Sequence, residues 1–244
     1  MLRLRLPTRI GGLEEGEKLA ELDADAGAGL TALGINCTLK RSPETSHTEA
    51  LMGRVLGLLS EHGAETEILR PVDYAIAFGV TSDEGDGDEW PPVLDKIKAA
   101  DILLIGMSIW FGHRSSVAQL VIERLDGTYN ERNEAGQYPL YNKVAGVVVT
   151  GNEDGAHACA ESTLFNLTHL GCVVPPNADT YWVGEAGPGP SYLDAGGPDH
   201  PYTQRTSSWC AHNLLHMARI MRDNPIPPIG NTLDEHGGDA VHGG

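Results

Sequence analysis

The sequence predicts an α/β fold in which a parallel sheet of five strands is covered by helices on both faces. Two segments, DILLIGM (101–107) and KVAGVVVTG (143–151), are almost wholly apolar, as strands buried on both faces must be. The segments that follow them carry apolar residues at helical spacing. The two patterns alternate along the chain, which is the order of a layered α/β domain.

LTALGIN (30–36) reads as the first strand, and His47 to His62 as a helix with Leu51, Val55, Leu58 and Leu59 on one face, ended by Gly63. AETEIL (64–69) alternates as a second strand, and DILLIGM is the third. Ser115 or Ser116 caps a helix carrying Val117, Leu120, Val121 and Leu125. KVAGVVVTG is the fourth strand, followed by a helix from Ala156 to Leu170 that Gly171 closes. CVVPP (172–176) is expected as the fifth strand, and a last helix spans about 206–222, with Cys210, Leu214, Met217, Ala218 and Met221 at core spacing. The expected organisation is an acidic flexible arm over residues 1–30, one domain over 31–222, and a flexible Pro- and Gly-rich tail over 223–244.

Charge narrows the function classes. Seventeen basic against 34 acidic residues leave a net charge of −17, which argues against nucleic acid or an anionic membrane as partner, since both need a basic face. No stretch approaches the length of an apolar membrane span, and Pro7 interrupts the N-terminus before any signal-peptide core. The four scattered cysteines, Cys37, Cys159, Cys172 and Cys210, suit a reducing compartment, so a cytoplasmic location is expected. His212 and His216 lie four apart on the last helix, a metal-pair spacing, but HNLLH lacks the glutamate of a zinc protease and no metal site is expected.

In doubly wound sheets ligands sit at the carboxyl ends of the strands, so the loops after strands one, three and four are the ones to read. The first, CTLKRSPETSHT, crowds Thr38, Ser42, Thr45, Ser46 and Thr48 before a helix. It suits an anion nest, where hydroxyls, backbone N–H groups and the helix dipole meet a phosphate, and a solvated helix cap alike. It lacks both the triphosphatase P-loop pattern and G-x-G-x-x-G. The second, SIWFG, sets Trp110 and Phe111 beside Gly112, which lets a flat ligand approach the backbone. The third, TGNEDGA, is a tight turn whose N–H groups suit a carbonyl oxygen or ring nitrogen; Asp154 reads equally as the next helix cap.

Four segments, TLKRSPETSHT, SIWFG with SSVAQLVIERL, LYNKVAGVVVTGNEDGAH and PPNADTYWVGEAGPGPSY, resemble in their order the flavodoxin-like NAD(P)H-dependent FMN reductases, a family that includes quinone reductases. The resemblance implies a flavodoxin-like, three-layer doubly wound sheet over about 31–222. It implies FMN as cofactor and NAD(P)H as electron donor. It also implies that Thr38, Lys40, Ser46, His47 and Thr48 bind the phosphate, that Ile109, Trp110, Phe111 and Gly112 line the isoalloxazine edge, and that Thr150, Gly151, Asn152, Asp154 and Gly155 meet its other rim.

The expected function is FMN-dependent transfer of a hydride from NAD(P)H to a quinone, flavin or other small acceptor. No protein nucleophile is needed, since the cofactor carries the chemistry. A flavodoxin-type electron carrier is the alternative. A homo-oligomer, dimer or tetramer, is expected from the resemblance. The long connections 127–142 and 177–205, rich in tyrosine and including Trp182, are expected to wall the ring or to pack between subunits, with Trp182 facing substrate. Arg114 or Arg132 is a candidate for reading a 2′-phosphate.

Overall fold

The computed structural model describes residues 26–232; the N-terminal arm up to residue 25, and His236 and His242 of the tail, lie outside the described residues. Strands β1 (Thr31–Cys37), β2 (Glu65–Leu69), β3 (Ile102–Trp110), β5 (Val144–Gly151) and β6 (Asp179–Val183) form a parallel sheet in the order β2-β1-β3-β5-β6. The two-residue β4 (His113–Arg114) folds back antiparallel on the end of β3. Helices α1 (His47–Glu61) and α5 (Pro201–Asp223) cover one face, and α2 (Trp90–Ala99), α3 (Ser116–Asp126) and α4 (Ala156–His169) cover the other. The fold is flavodoxin-like.

Strand alternation feeds two cores. Leu103, Ile105, Met107 and Ile109 of β3 point to α2–α4, whereas Ile102 and Leu104 point to α1 and α5. Ser115 starts α3: its hydroxyl accepts from Ala118 N at 3.3 Å and donates to Cys37 O at 2.8 Å, tying the helix to the end of β1.

Three elements differ from the sequence reading. CVVPP forms only a single bridge, Val144 to Val173, because Pro175 and Pro176 have no N–H to continue a ladder; the fifth parallel strand is DTYWV, inside the segment expected to be a loop. Helix α2, absent from the sequence reading, starts at Trp90 with Pro91 and Pro92 in its first turn, where a missing N–H costs nothing. Likewise α5 begins at Pro201, five residues before the expected start. Residues 26–30 pack against the domain: Leu30 is fully buried, and Arg219 donates to Ala26 O and Ala28 O. The start of the C-terminal tail is held too, Ile226 N donating to Asn142 Oδ1 at 2.7 Å.

The segment between β2 and α2 is pinned by Arg124 of α3, which donates to Ala77 O, Thr81 O and Asp88 Oδ2 at 2.8, 3.1 and 2.7 Å. Asp88 also accepts from the backbone N–H groups of Ala77, Glu84 and Trp90. At the sheet edge Tyr202 meets Tyr181, hydroxyl to hydroxyl at 3.2 Å, and Thr203 Oγ1 donates to Tyr181 O, so α5 closes over β6.

Candidate functional site

The chain runs from β1 to β2 on one side and returns to β3 on the other, which makes the carboxyl ends of β1 and β3 the switch point of the sheet. A cavity of about 590 Å³ opens there, a volume in the range of small-molecule and cofactor sites.

One end is the loop joining β1 to α1. Ser46 caps α1, its hydroxyl accepting from Glu49 N at 3.1 Å. Arg70, just after β2 and only 6% exposed, reaches under the loop: its Nη1 donates to Glu44 O at 2.8 Å and Lys40 O at 3.3 Å, and its Nε to Glu49 Oε2 at 2.7 Å. Asn36 Nδ2 completes the network, donating to Glu49 Oε2 at 2.8 Å and Ser46 Oγ at 3.2 Å. The hydrogen bond from Arg70 is the main reason the Glu49 carboxyl sits below its ordinary pKa; burial opposes it and Asn36 adds to it. Drawing loop carbonyls toward Arg70 leaves Thr38, Ser46, His47 and Thr48 lining the cavity at the positive end of α1. Thr48 and Thr150 join hydroxyls at 2.7 Å across the floor. Lys40 Nζ donates to Thr45 O at 3.1 Å within its own loop.

The other end is a slot. Ser108, Ile109 and Trp110 from β3, Thr150, Gly151, Asn152 and Glu153 from β5, and Trp182 from β6 line it. Trp182 is 6% exposed and meets Tyr192 edge-on at 5.8 Å between ring centroids. The segment after β6 closes the remaining side with Gly187, Gly189, Ser191 and Tyr192. It is fastened twice: Asn152 Nδ2 donates to Pro190 O at 2.9 Å while its Oδ1 accepts from Ser191 Oγ, and His47 Nδ1 accepts from Leu193 N at 3.2 Å.

The structure therefore brings Thr38, Lys40, Ser46, His47, Thr48, Ile109, Trp110, Thr150, Gly151, Asn152 and Trp182 to one cavity. Phe111, Gly112, Asp154 and Gly155 do not line it. Phe111 is the first residue of a two-residue turn between β3 and β4 and its ring is 92% exposed. Asp154 is exposed and caps nothing; Gly155 holds the cap position of α4. A side chain at Gly155 would place its Cβ 2.6 Å from Gly112 O, so glycine here allows the two loops to touch backbone to backbone.

Sequence reasoning missed Glu153, Tyr192 and the network beneath the first loop. Tyr129, Tyr138 and Tyr141 line no part of the cavity; Tyr129 and Tyr138 pack edge-on at 4.8 Å, and Tyr129 hydrogen-bonds His169 O. Arg114 is turned away from the cavity, toward Gln119, Thr163 and Asn166. His212 Nε2 lies 3.2 Å from His62 Nε2, and its Nδ1 meets Ser208 O. All four cysteines are buried. Burial pushes the Cys159 thiol up to about 11 and Cys172 to about 12, and raises Cys37, beside the loop, further still, so none is a thiolate at neutral pH.

A model of the NADPH-dependent FMN reductase family matches residues 30–186. The chain belongs to this family. Its enzymes are flavin-related oxidoreductases. A relative from Streptomyces davaonensis, 8-demethyl-8-aminoriboflavin-5′-phosphate synthase, is 40% identical over 205 residues, covering 80% of each chain. The crystal structure of RosB with the bound intermediate 8-demethyl-8-formylriboflavin-5′-phosphate superposes with a TM-score of 0.77 at 38% identity, covering 88% of this chain and 90% of that one. A divalent metal cation transporter of Mycobacterium bovis is 48% identical over 200 residues, 80% of this chain, but the chain spans only 29% of that relative's length. Among the described residues no helix is long and apolar enough to cross a membrane.

Proposed function

We propose that this FMN reductase family member holds a flavin 5′-phosphate in the switch-point cavity and acts as an FMN-dependent NAD(P)H oxidoreductase, passing a hydride to a quinone, flavin or other small acceptor. The observation that carries the reading is the division of one cavity into a hydroxyl-lined helix N-terminus and an aromatic-walled slot. That donor set fits the group: a phosphate would meet Thr38, Ser46, His47 and Thr48 with Lys40 nearby, and a flat ring would pack against Ile109 and Trp110 facing Thr150, Gly151 and Asn152. When bound, the flavin supplies the two-electron chemistry. The chain's part is to hold the phosphate, to keep water from the ring with Trp182 and Tyr192, and to leave one face open. The domain over 31–222 would work in the cytoplasm as a homo-oligomer; the exposed ladder of Tyr202, Arg205 and Trp209 on α5, with Arg205 5.6 and 5.2 Å from the two rings, supports self-association.

A second reading takes the flavin 5′-phosphate as the compound acted on rather than as resident cofactor. It is favoured by the 40% identity to 8-demethyl-8-aminoriboflavin-5′-phosphate synthase. One experiment separates the two. The protein is loaded with FMN; one portion is treated with NADPH without oxygen and then reoxidised, a second is incubated in air with a mixture of amino donors, and the flavin of both is recovered for mass analysis. Bleaching followed by recovery of unchanged FMN supports the oxidoreductase; a flavin of altered mass supports the second reading. Retained FMN that neither bleaches nor changes identifies an electron carrier.

Trp182 gives a sharper check on the slot. Trp182→Phe keeps a ring against Tyr192 and is expected to leave FMN affinity within about threefold while raising the acceptor KM by about tenfold, the equivalent of about 1.4 kcal/mol of binding. Trp182→Ala should in addition destabilise by about 3–5 kcal/mol, because the residue is part of the core. Unchanged acceptor kinetics and oligomeric state in both variants would remove Trp182 from the substrate wall.

A further inference from the structure

The tip of the β3–β4 hairpin is built at a cost. Phe111 and Gly112 both have positive φ, 50° and 76°, the signature of the mirror-image turn that joins two twisted strands most tightly. Glycine accepts that conformation freely; phenylalanine does not, and with its ring 92% exposed it recovers nothing by burial. What the turn achieves is to present two successive backbone N–H groups side by side. Both are taken by one carboxylate: Phe111 N donates to Glu153 Oε1 and Gly112 N to Glu153 Oε2, each at 3.1 Å.

The turn has other ties besides this carboxylate. Trp110 pairs with His113 across the hairpin, and the backbone of Gly112 is already in contact with that of Gly155. Glu153 itself lines the cavity, whereas its neighbour Asp154 is exposed outside it. A forked acceptor that lines the cavity thus occupies a pair of adjacent donors on the turn that directly follows Trp110, itself a lining residue, at the carboxyl end of the central strand. A flat ligand bearing ring carbonyl oxygens, as the pyrimidine portion of a flavin does, would need the same donors.

We propose that Glu153 is a built-in competitor for the Phe111–Gly112 amide pair, holding it in the ligand-free chain and yielding it to a carbonyl-bearing ring on binding. The inference rests on the flavin reading above. The two acceptors exclude each other, so apparent ligand affinity is reduced by the fraction of molecules in which the carboxylate holds the amides. Glu153 is therefore a residue that sets affinity against the ligand, the opposite of an ordinary contact.

The test is FMN affinity, read by quenching of flavin fluorescence, for the wild type, Glu153→Ala and Glu153→Gln, with unfolding curves as a folding control. Glu153→Ala is expected to bind FMN about tenfold more tightly, and Glu153→Gln, which keeps one acceptor oxygen, to fall between. Amide NMR supplies the second readout: the Phe111 and Gly112 resonances should move on FMN binding in the wild type and be displaced already in ligand-free Glu153→Ala. If wild type binds FMN and neither variant binds it more tightly, the competitor is overturned while the flavin reading stands. If no version of the protein binds FMN, both fall. If Glu153→Ala does not fold, unchanged or weaker binding by Glu153→Gln overturns the competitor on its own.

Discussion

Replacing Asp88 by Asn is expected to lower the thermal unfolding midpoint by on the order of 10 °C. Asp88 and Arg124 face each other at 2.7 Å with side chains 1% and 0% exposed. Asparagine keeps the shape but turns an N–H₂ toward donors and leaves a buried guanidinium without its counter-charge. Breaking a buried pair in this way costs about 3–5 kcal/mol, and each kcal/mol shifts the midpoint of a domain this size by about 2–4 °C. The acid limb of stability should change with it. Burial pushes the Asp88 carboxyl up, but the Glu84 N–H, Arg124 and the N–H groups of Ala77 and Trp90 together outweigh it and hold the group at about 2. A carboxylate whose folded pKa lies below its unfolded value of about 3.9 stabilises the fold fully above about pH 4, and that contribution is lost as pH falls through 2. It amounts to about 2–3 kcal/mol. Denaturant titrations between pH 2 and 6 should show this slope in the wild type and a flatter one in Asp88→Asn. Equal slopes would mean that Asp88 is not the group responsible.

Arg70→Met should do to binding what Asp88→Asn does to stability. The guanidinium holds Lys40 O, Glu44 O and Glu49 Oε2 at once. Without it the carbonyls are free to turn, and the hydroxyls and helix N–H groups facing the cavity lose their fixed arrangement. A hydrogen bond to a charged group is worth about 1.5–3 kcal/mol, and the phosphate is expected to lose about one such bond as the loop loosens. FMN affinity is accordingly expected to fall by about 10–100-fold. Riboflavin, which has no phosphate, is the control: its affinity should change by less than about threefold. An equal loss for both ligands would place the damage in the ring slot or in the fold as a whole.

The residues behind these two effects were the least legible in the sequence. Strands β3 and β5 stand out as apolar runs, and the Ser115–Ser116 pair as a cap, because each signal lies within a few consecutive residues. Arg70, Glu49 and Asn36 act together only because β1 and β2 are neighbours in the sheet, and no local pattern announces that. The same holds for Arg124 and Asp88, which are 36 positions apart. Glu153 and Asp154 are adjacent carboxylates, and the sequence reading assigned the site role to Asp154; the turn after β5 instead aims Glu153 at the Phe111–Gly112 amides and leaves Asp154 in solvent. The fifth strand was misplaced for a comparable reason. CVVPP is the more apolar segment, yet two prolines bar it from a ladder, while DTYWV has the N–H groups to pair with β5. The hydroxyls between β1 and α1 were legible by composition alone; Thr38, Ser46 and Thr48 line the cavity, whereas Thr45 does not and Ser42 is turned to Asp73.

The loop joining β1 to α1 has a kinetic consequence. Of its nearby cations Arg70 is buried against Glu49 and two carbonyls and Lys40 is tied to Thr45 O, and the Lys40 charge in the cavity lining is offset by Glu153. A phosphate carrying about two negative charges must then approach a chain of net charge −17 with little local attraction to guide it. Repulsion of this kind extends over the Debye length, about 30 Å at 0.01 M salt and about 8 Å at 0.15 M. Added salt should therefore speed FMN capture several-fold in stopped-flow, the reverse of what a basic phosphate site shows, and leave the entry of uncharged riboflavin unaltered.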